Sequence, residues 1–361
     1  MTTGTKPLRV IQWATGAIGK LNIVTFATNP AFELVGCYVF SAAKHGKDAG
    51  EIAGIGPIGV KATNDVDEVL AIPADVVIYA PMLARPSEIC RILESGKNVV
   101  TPAGFTTILD PKVQARIQAS CEKGGVSFHG SGIHPGFADR LALILSAMSR
   151  SIDKITVYEI VDMSQVNESW EMVKILGFDM TPEEAKNDPP PVLAGMGKTF
   201  FESIALVAQG LGIPIDSYEK SHEFAIGKRD IEISLDLGTK TGIVRRGHVA
   251  GQNFNYFGKV GDETVIEFKT YWKMGKDLEP NWPFDEALAY LVEVEGDPDL
   301  HLRFTMGKPD GSDATHAGLL GTAQNCVNTA PLVVAAKPGF VTQLDLPMIT
   351  GYKVYNTASS R

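Results

Sequence analysis

The stretch Leu8-Arg9-Val10-Ile11-Gln12-Trp13-Ala14-Thr15-Gly16-Ala17-Ile18-Gly19-Lys20 decides the fold. Residues 10–13 read as an apolar strand, and residues 20–28 as a helix ending near Asn29-Pro30. Between them lies a small-residue turn. In the fingerprint GxGxxG the first glycine permits a tight turn, the second lets backbone approach a pyrophosphate, and the third lets the helix pack on the strand. Here the register gives Ala14, Gly16 and Gly19. Alanine fits the first place if its backbone keeps a negative φ. Free N–H groups and the dipole at the helix start favour an anion. Ala14, Thr15, Gly16, Ala17, Ile18 and Gly19 are therefore the candidate nucleotide contacts.

The rhythm that follows supports this reading. Strands are predicted at 33–40, 75–79, 98–101 and 126–129, with helices at 65–71, 86–95 and 111–123. Short apolar strands alternating with amphipathic helices predict an α/β Rossmann domain, a doubly wound parallel sheet, over residues 1–150. Beyond it the pattern becomes β-rich: 154–161, 222–226, 231–237, 248–260, 264–273, 289–295 and 300–305, with a helix over 197–210 and a loop at 186–192. This predicts an α+β second domain, 151–310, with an open, largely antiparallel sheet. A helix over 314–336 follows, within a C-terminal segment, 311–361.

Composition narrows the function. The 361 residues are 44% hydrophobic with net charge −9, and no basic tract argues for nucleic acid. No apolar run approaches a membrane span, and MTTGTKPLRV lacks the features of a secretory signal. Four scattered cysteines without a CxxC pair suit buried, reduced thiols and a cytoplasmic protein. Clustered Cys/His ligands and a GxSxG motif are absent, so neither a metal site nor acyl transfer is expected. After the second strand the chain reads Val39-Phe40-Ser41-Ala42-Ala43-Lys44, with no carboxylate to hold a ribose 2′-OH. Ser41 and Lys44 favour NADP(H), with NAD(H) still open; a solvated basic loop is the plainer alternative.

Two later stretches are more specific: Gly130-Ser131-Gly132-Ile133-His134-Pro135-Gly136-Phe137, and the segment from Thr315-His316-Ala317-Gly318 through Asn325 and Pro331 to Pro347. With the glycine turn they resemble the dihydrodipicolinate-reductase-like family, in the branch of 2,4-diaminopentanoate dehydrogenase and the native amine dehydrogenases. The resemblance covers nearly the whole chain. It implies that the C-terminal segment, 311–361, returns to the first domain. It implies a homodimer formed through the second-domain sheet, and a cleft between domains with a nicotinamide at its floor. It implies that Ala80-Pro81-Met82 and Thr101-Pro102-Ala103-Gly104 line that floor. The amine-active members carry a glutamate just after the strand matching 98–101; this chain reads Pro102-Ala103-Gly104-Phe105 there. A buried cation without a counter-charge is costly. Either another group supplies the charge, or the substrate is not an amine.

Candidates for the chemistry follow. His134 could donate a proton at neutral pH, or simply cap a helix. Phe137 and Leu141, one helical turn apart, suit a pocket wall or plain core. Glu168 or Glu171 could replace the missing carboxylate; solvated loop acids are the simpler reading. Asp139, in a first helical turn, suits the helix dipole, and His316 either caps its helix or approaches the cleft. Arg140 and Lys174 are too sparse a cationic set for a dicarboxylate such as dihydrodipicolinate. The reading is a reversible reductive amination of a small apolar ketone or aldehyde with ammonia. Its alternatives are an ammonia-independent carbonyl, imine or ene reductase, and a non-catalytic NADP(H)-binding protein.

Overall fold

A computed structural model describes residues 6–165, 169–187, 190–235 and 240–354. In chain order the first elements are β1 Leu8–Trp13, α1 Ala17–Thr28, β2 Phe32–Tyr38, α2 Ala49–Ala53, β3 Ala62–Thr63, α3 Val66–Ala71, β4 Val76–Tyr79, α4 Pro86–Glu94, β5 Asn98–Thr101, α5 Pro111–Gly124 and β6 Ser127–Gly130. Next come α6 Ala138–Ser146, β7 Ser151–Asp162, α7 Trp170–Ile175, α8 Pro182–Asn187, α9 Pro191–Leu211, β8 Ser217–Gly227, β9 Ile231–Leu235, β10 Lys240–Val244, β11 Val249–Val260, β12 Glu263–Lys273, β13 Leu278–Glu279, β14 Leu288–Asp297 and β15 Leu300–Thr305. The chain closes with α10 Ala314–Ala335 and β16 Gly339–Phe340. Two compact units result: residues 1–137 with 319–361, and residues 138–318. The boundaries differ from 150 and 310 because α6 packs on α9, β7 and β14 of the second unit. From residue 319 onward the tail completes the first unit.

The first unit holds a parallel sheet in the order β16-β6-β5-β4-β1-β2-β3. Strand β1 has β4 on one side and β2 on the other, so the direction of winding reverses there. Central strands such as Val76–Tyr79 are buried throughout, as a sheet covered on both faces requires. Local chemistry sets the helix ends. Asp65 caps α3 through the Asp67 and Glu68 amides. Asp110 caps α5 ahead of Pro111, and Gly125 ends it at φ +66°. The short α2 and β3 escape a pattern reading because each spans only a few residues. Strand β2 stops at Tyr38, and residues 39–41 turn away at its carboxyl end.

The second unit holds a sheet in the order β13-β8-β11-β12-β7-β14-β15 and a separate β9–β10 hairpin. The larger sheet is mostly antiparallel, but β12 runs parallel to β7. It must: the chain leaves β7 through α7–α9 and re-enters by two successive antiparallel connections, β8 to β11 to β12. One face packs on α6 and α9, where Phe200 stacks on Tyr256 at 4.6 Å. The other face carries Tyr158, Tyr271 and Phe284, with Glu267 bridged by Lys154 and Lys269. The ends of the predicted loop at 186–192 are helical: α8 extends to Asn187 and α9 begins at Pro191, whose missing N–H costs nothing in a first turn. All four cysteines are buried and unpaired, and burial pushes the Cys37, Cys121 and Cys326 thiols up to about 12. Among the described residues no helix is long and apolar enough to cross a membrane.

Candidate functional site

The winding reversal at β1 creates a crevice beyond the carboxyl ends of β1, β2 and β4, where open α/β sheets take ligands. A cavity of about 250 Å³ lies there, lined by Ala14, Thr15, Gly16, Phe40, Ser41, Lys44, Ala80, Pro81 and Met82. Every one of these except Phe40 is a residue the sequence singles out.

The glycine turn is built differently from expectation at its first position. Ala14 has φ +73°, in the left-handed region, so the condition under which alanine would fit without strain is not met. The turn keeps the backbone shape that glycine would give, and the alanine methyl is strained into it. Two contacts hold it. The fully buried Gln12 donates from Nε2 to the carbonyls of Ala14 (2.9 Å) and Trp13 (3.2 Å), and accepts from Asn22 Nδ2 at 3.1 Å. On the other side, a Cβ at Gly19 would overlap the Ala14 carbonyl oxygen. The third glycine is thus needed for helix–strand packing. Gly16, by contrast, precedes α1 with φ −72° and has open space where a Cβ would stand. Ala17 and Ile18 form the first turn of α1 and do not line the cavity.

The opposite walls come from two strand ends. Trp13 stacks on Tyr38 at 4.2 Å, and Tyr38 meets Phe40 edge-on at 5.1 Å. Lys44 reaches back to the glycine turn, donating from Nζ to Thr15 Oγ1 (3.1 Å) and the Thr15 carbonyl (3.2 Å). Partial burial, with Lys20 nearby, lowers its ammonium from the ordinary lysine range. After β4, the Tyr79 hydroxyl donates to Glu88 at 2.6 Å and accepts from the Arg85 amide at 3.1 Å, pinning the loop that carries Ala80, Pro81 and Met82. The Arg85 guanidinium lies 5.6 Å from the centre of the Phe40 ring. Sequence reasoning missed Arg85 and Phe40 because nothing in a linear pattern pairs residues 45 apart; only the sheet order does.

The other candidates are placed as follows. Thr101 is fully buried, accepts from Ala103 N at 3.2 Å and does not line the cavity. Gly104 has φ +87° and Phe105 φ +63°; this turn packs on Gly130, whose Cβ would overlap the carbonyls of both. Phe105 is buried against Phe128 at 5.3 Å. A phenyl ring fills the core beside the place where the resemblance puts a glutamate. His134 is half-buried with an extended backbone, φ −152°. Phe137 and Leu141 are half-buried, the first ending the turn after β6, the second on α6. Asp139 is buried in the first turn of α6. Glu171 is exposed on α7, and His316 is exposed in the first turn of α10. Glu168 lies outside the described residues. Among the described residues, no three His, Cys, Asp or Glu side chains group as metal ligands do.

Comparison with known proteins fits this geometry. The pattern described as "Dihydrodipicolinate reductase, N-terminus" matches residues 10–128, and that of "2,4-diaminopentanoate dehydrogenase C-terminal domain" matches residues 137–358. An amine dehydrogenase from Streptomyces virginiae is 28% identical over 360 residues, covering 94% of this chain and 96% of that protein. A 2,4-diaminopentanoate dehydrogenase from Acetoanaerobium sticklandii is 26% identical over 71% of this chain and 68% of its own length. An amine dehydrogenase from Mycobacterium smegmatis has the same fold, with a TM-score of 0.76 at 20% identity, over 96% of this chain and 98% of that one. Fold and relatives define an oxidoreductase of the dehydrogenase class. More narrowly, the chain belongs to the family of the 2,4-diaminopentanoate dehydrogenase C-terminal domain, as the resemblance implied.

The strained turn makes a direct prediction. Ala14→Gly should stabilise the protein by roughly 1 kcal/mol in urea unfolding, because glycine adopts φ +73° without strain. Gly19→Ala should destabilise it by more than that. Equal midpoints for Ala14→Gly and the wild type would mean that the turn is not strained.

Proposed function

We propose that the protein is an NAD(P)H-dependent oxidoreductase of amine-dehydrogenase type, catalysing reversible reductive amination of a small, mostly apolar ketone or aldehyde. The observation that carries this is the cavity at the winding reversal, walled by the glycine turn, the end of β2 and the loop after β4. The chain fits the group. Gly16 leaves free the space a side chain would take, and the unspent N–H groups of the first turn of α1 would face a pyrophosphate. Ala80, Pro81 and Met82 would flank the nucleotide from β4. When bound, a nicotinamide nucleotide supplies the hydride or accepts it. His134 would give a proton to the carbonyl or imine, or take it back in the reverse direction.

The phosphorylated nucleotide suits the site better. No carboxylate follows β2, where one would hold a ribose 2′-OH and repel a 2′-phosphate. Lys44 is committed to Thr15, so its role is to brace the turn. The guanidinium of Arg85, over the ring of Phe40 that lines the cavity with the exposed Ser41, is the cation better suited to a 2′-phosphate. A second reading, carbonyl reduction without ammonia, is favoured by one observation: residues 102–105 offer no acid, and Phe105 is buried there.

Two experiments test these statements. NADPH oxidation with small aliphatic ketones and aldehydes should require ammonium. Rates indifferent to ammonium would establish the second reading, and no turnover with any carbonyl would remove both. In calorimetry NADPH should bind at least about tenfold tighter than NADH, and Arg85→Ala should narrow that ratio toward one. A ratio unchanged in Arg85→Ala would remove Arg85 from cofactor choice.

A further inference from the structure

The turn after β6 carries two of the candidate site residues, His134 and Phe137, and one carbonyl organises it. The Gly132 oxygen accepts the Phe137 amide at 2.9 Å, closing the turn across Ile133, His134, Pro135 and Gly136. The same oxygen accepts Nδ2 of Asn325 from α10. Asn325 Nδ2 also donates to Ser131 Oγ at 3.0 Å, and the next residue, Cys326, meets the Ser131 side chain with its thiol. The Ser131 amide in turn donates to the Thr101 carbonyl at 2.7 Å, at the end of β5. One amide group on a long helix therefore fastens the start of the turn, and the turn is fastened to the sheet.

The backbone needs that fastening. Gly132 has φ +113° and Gly136 φ +128°, both open to glycine and closed to other residues. A Cβ at Gly136 would press on the Ser131 carbonyl carbon at 3.0 Å and stand 3.6 Å from Asn325 Nδ2. Glycines at both ends give the loop its shape but no stiffness. His134 sits between them in extended conformation, so its ring position follows from how well the two ends are held. A proton donor displaced by about 1 Å loses on the order of a hundredfold in rate.

We propose that Asn325 is a positioning residue for the reaction: its side-chain amide, through Gly132 and Ser131, sets where the His134 imidazole stands. This rests on the reading of His134 as the proton donor. It also gives a physical reason for an asparagine at this point of the C-terminal segment. Asn325 does not line the nucleotide cavity, so its effect is on the rate and not on nucleotide affinity.

The test uses the full chain with ring-¹⁵N histidine, the His134 signal being assigned by its loss in His134→Ala. Asn325→Ala, and the isosteric Asn325→Asp as a guard against unfolding, should shift or broaden the His134 ring signals. NADPH dissociation constants should stay within about twofold. With the fastest carbonyl of the panel above, kcat should fall by roughly ten- to a hundredfold. In a His134→Ala background the Asn325 substitutions should cost nothing further. Unmoved ring signals, or effects on kcat that multiply with His134→Ala, would overturn the positioning role while leaving His134 as the donor. Wild-type kcat in His134→Ala would instead remove the donor reading, and the proposal with it.

Discussion

The left-handed backbone of Ala14, clamped by the Gln12 amide, is the constraint on which the cavity at the carboxyl end of β1 depends. It turns the chain sharply enough at the end of β1 for α1 to start beside the strand. Gly19 then packs where no side chain could, and Gly16 is left at the rim of an open space. The clamp is internal: Gln12 and Asn22 are both fully buried and hydrogen-bonded to each other. A buried amide pair is a large commitment of polar groups to one conformation, since each would cost more unpaired than it gains paired. The strain at Ala14 therefore persists because its surroundings over-determine it.

Around that fixed turn the walls are assembled from separate strand ends, each braced locally. Lys44 returns to Thr15, Tyr79 ties Glu88 to the Arg85 backbone, and Asn325 holds the turn after β6. Such bracing suits a site whose task is to orient, because the nucleotide carries the electrons and the protein supplies geometry. The turn at 102–105, where the family resemblance leads to the expectation of a glutamate, is built in the same structural terms. Gly104 and Phe105 both take positive φ, and the phenyl ring goes into the core against Phe128. An acid could not occupy that buried place without a partner. Of the two acids named as replacements, Glu171 is exposed on α7 and Glu168 lies outside the described residues.

Much of this was legible in the sequence. The strand–turn–helix of residues 8–28 and the apolar strands of the parallel sheet follow from local chemistry. The helices at 65–71 and 111–123 are legible too, while their caps at Asp65, Asp110 and Gly125 are seen only in the structure. Eight of the nine cavity-lining residues are singled out as well: the fingerprint fixes the register of Ala14, Thr15 and Gly16, the end of the second strand gives Ser41 and Lys44, and the family resemblance adds Ala80, Pro81 and Met82. The sign of φ at Ala14 was not legible, since alanine ordinarily avoids that conformation and it is tertiary contacts, the Gln12 amide and the packing of Gly19 among them, that hold it. Nor were the Arg85–Phe40 contact or the Asn325–Gly132 bond, the latter joining residues 193 apart in sequence. Hydrophobic periodicity reports which face a residue shows, not which distant residue it meets. The parallel pairing of β12 with β7 was missed for the same reason.

The central claim is that the turn around Gly16 seats the nucleotide, and it is tested most directly by NADPH titration of Gly16→Val in a calorimeter, with thermal unfolding as control. Gly16 has an ordinary φ of −72° and open space at its Cβ, so the variant should fold and melt with the wild type. The account predicts that NADPH affinity falls by about a hundredfold or more, because the valine side chain takes the place of the pyrophosphate. Wild-type affinity in a variant with unchanged melting temperature would contradict it and move the nucleotide elsewhere.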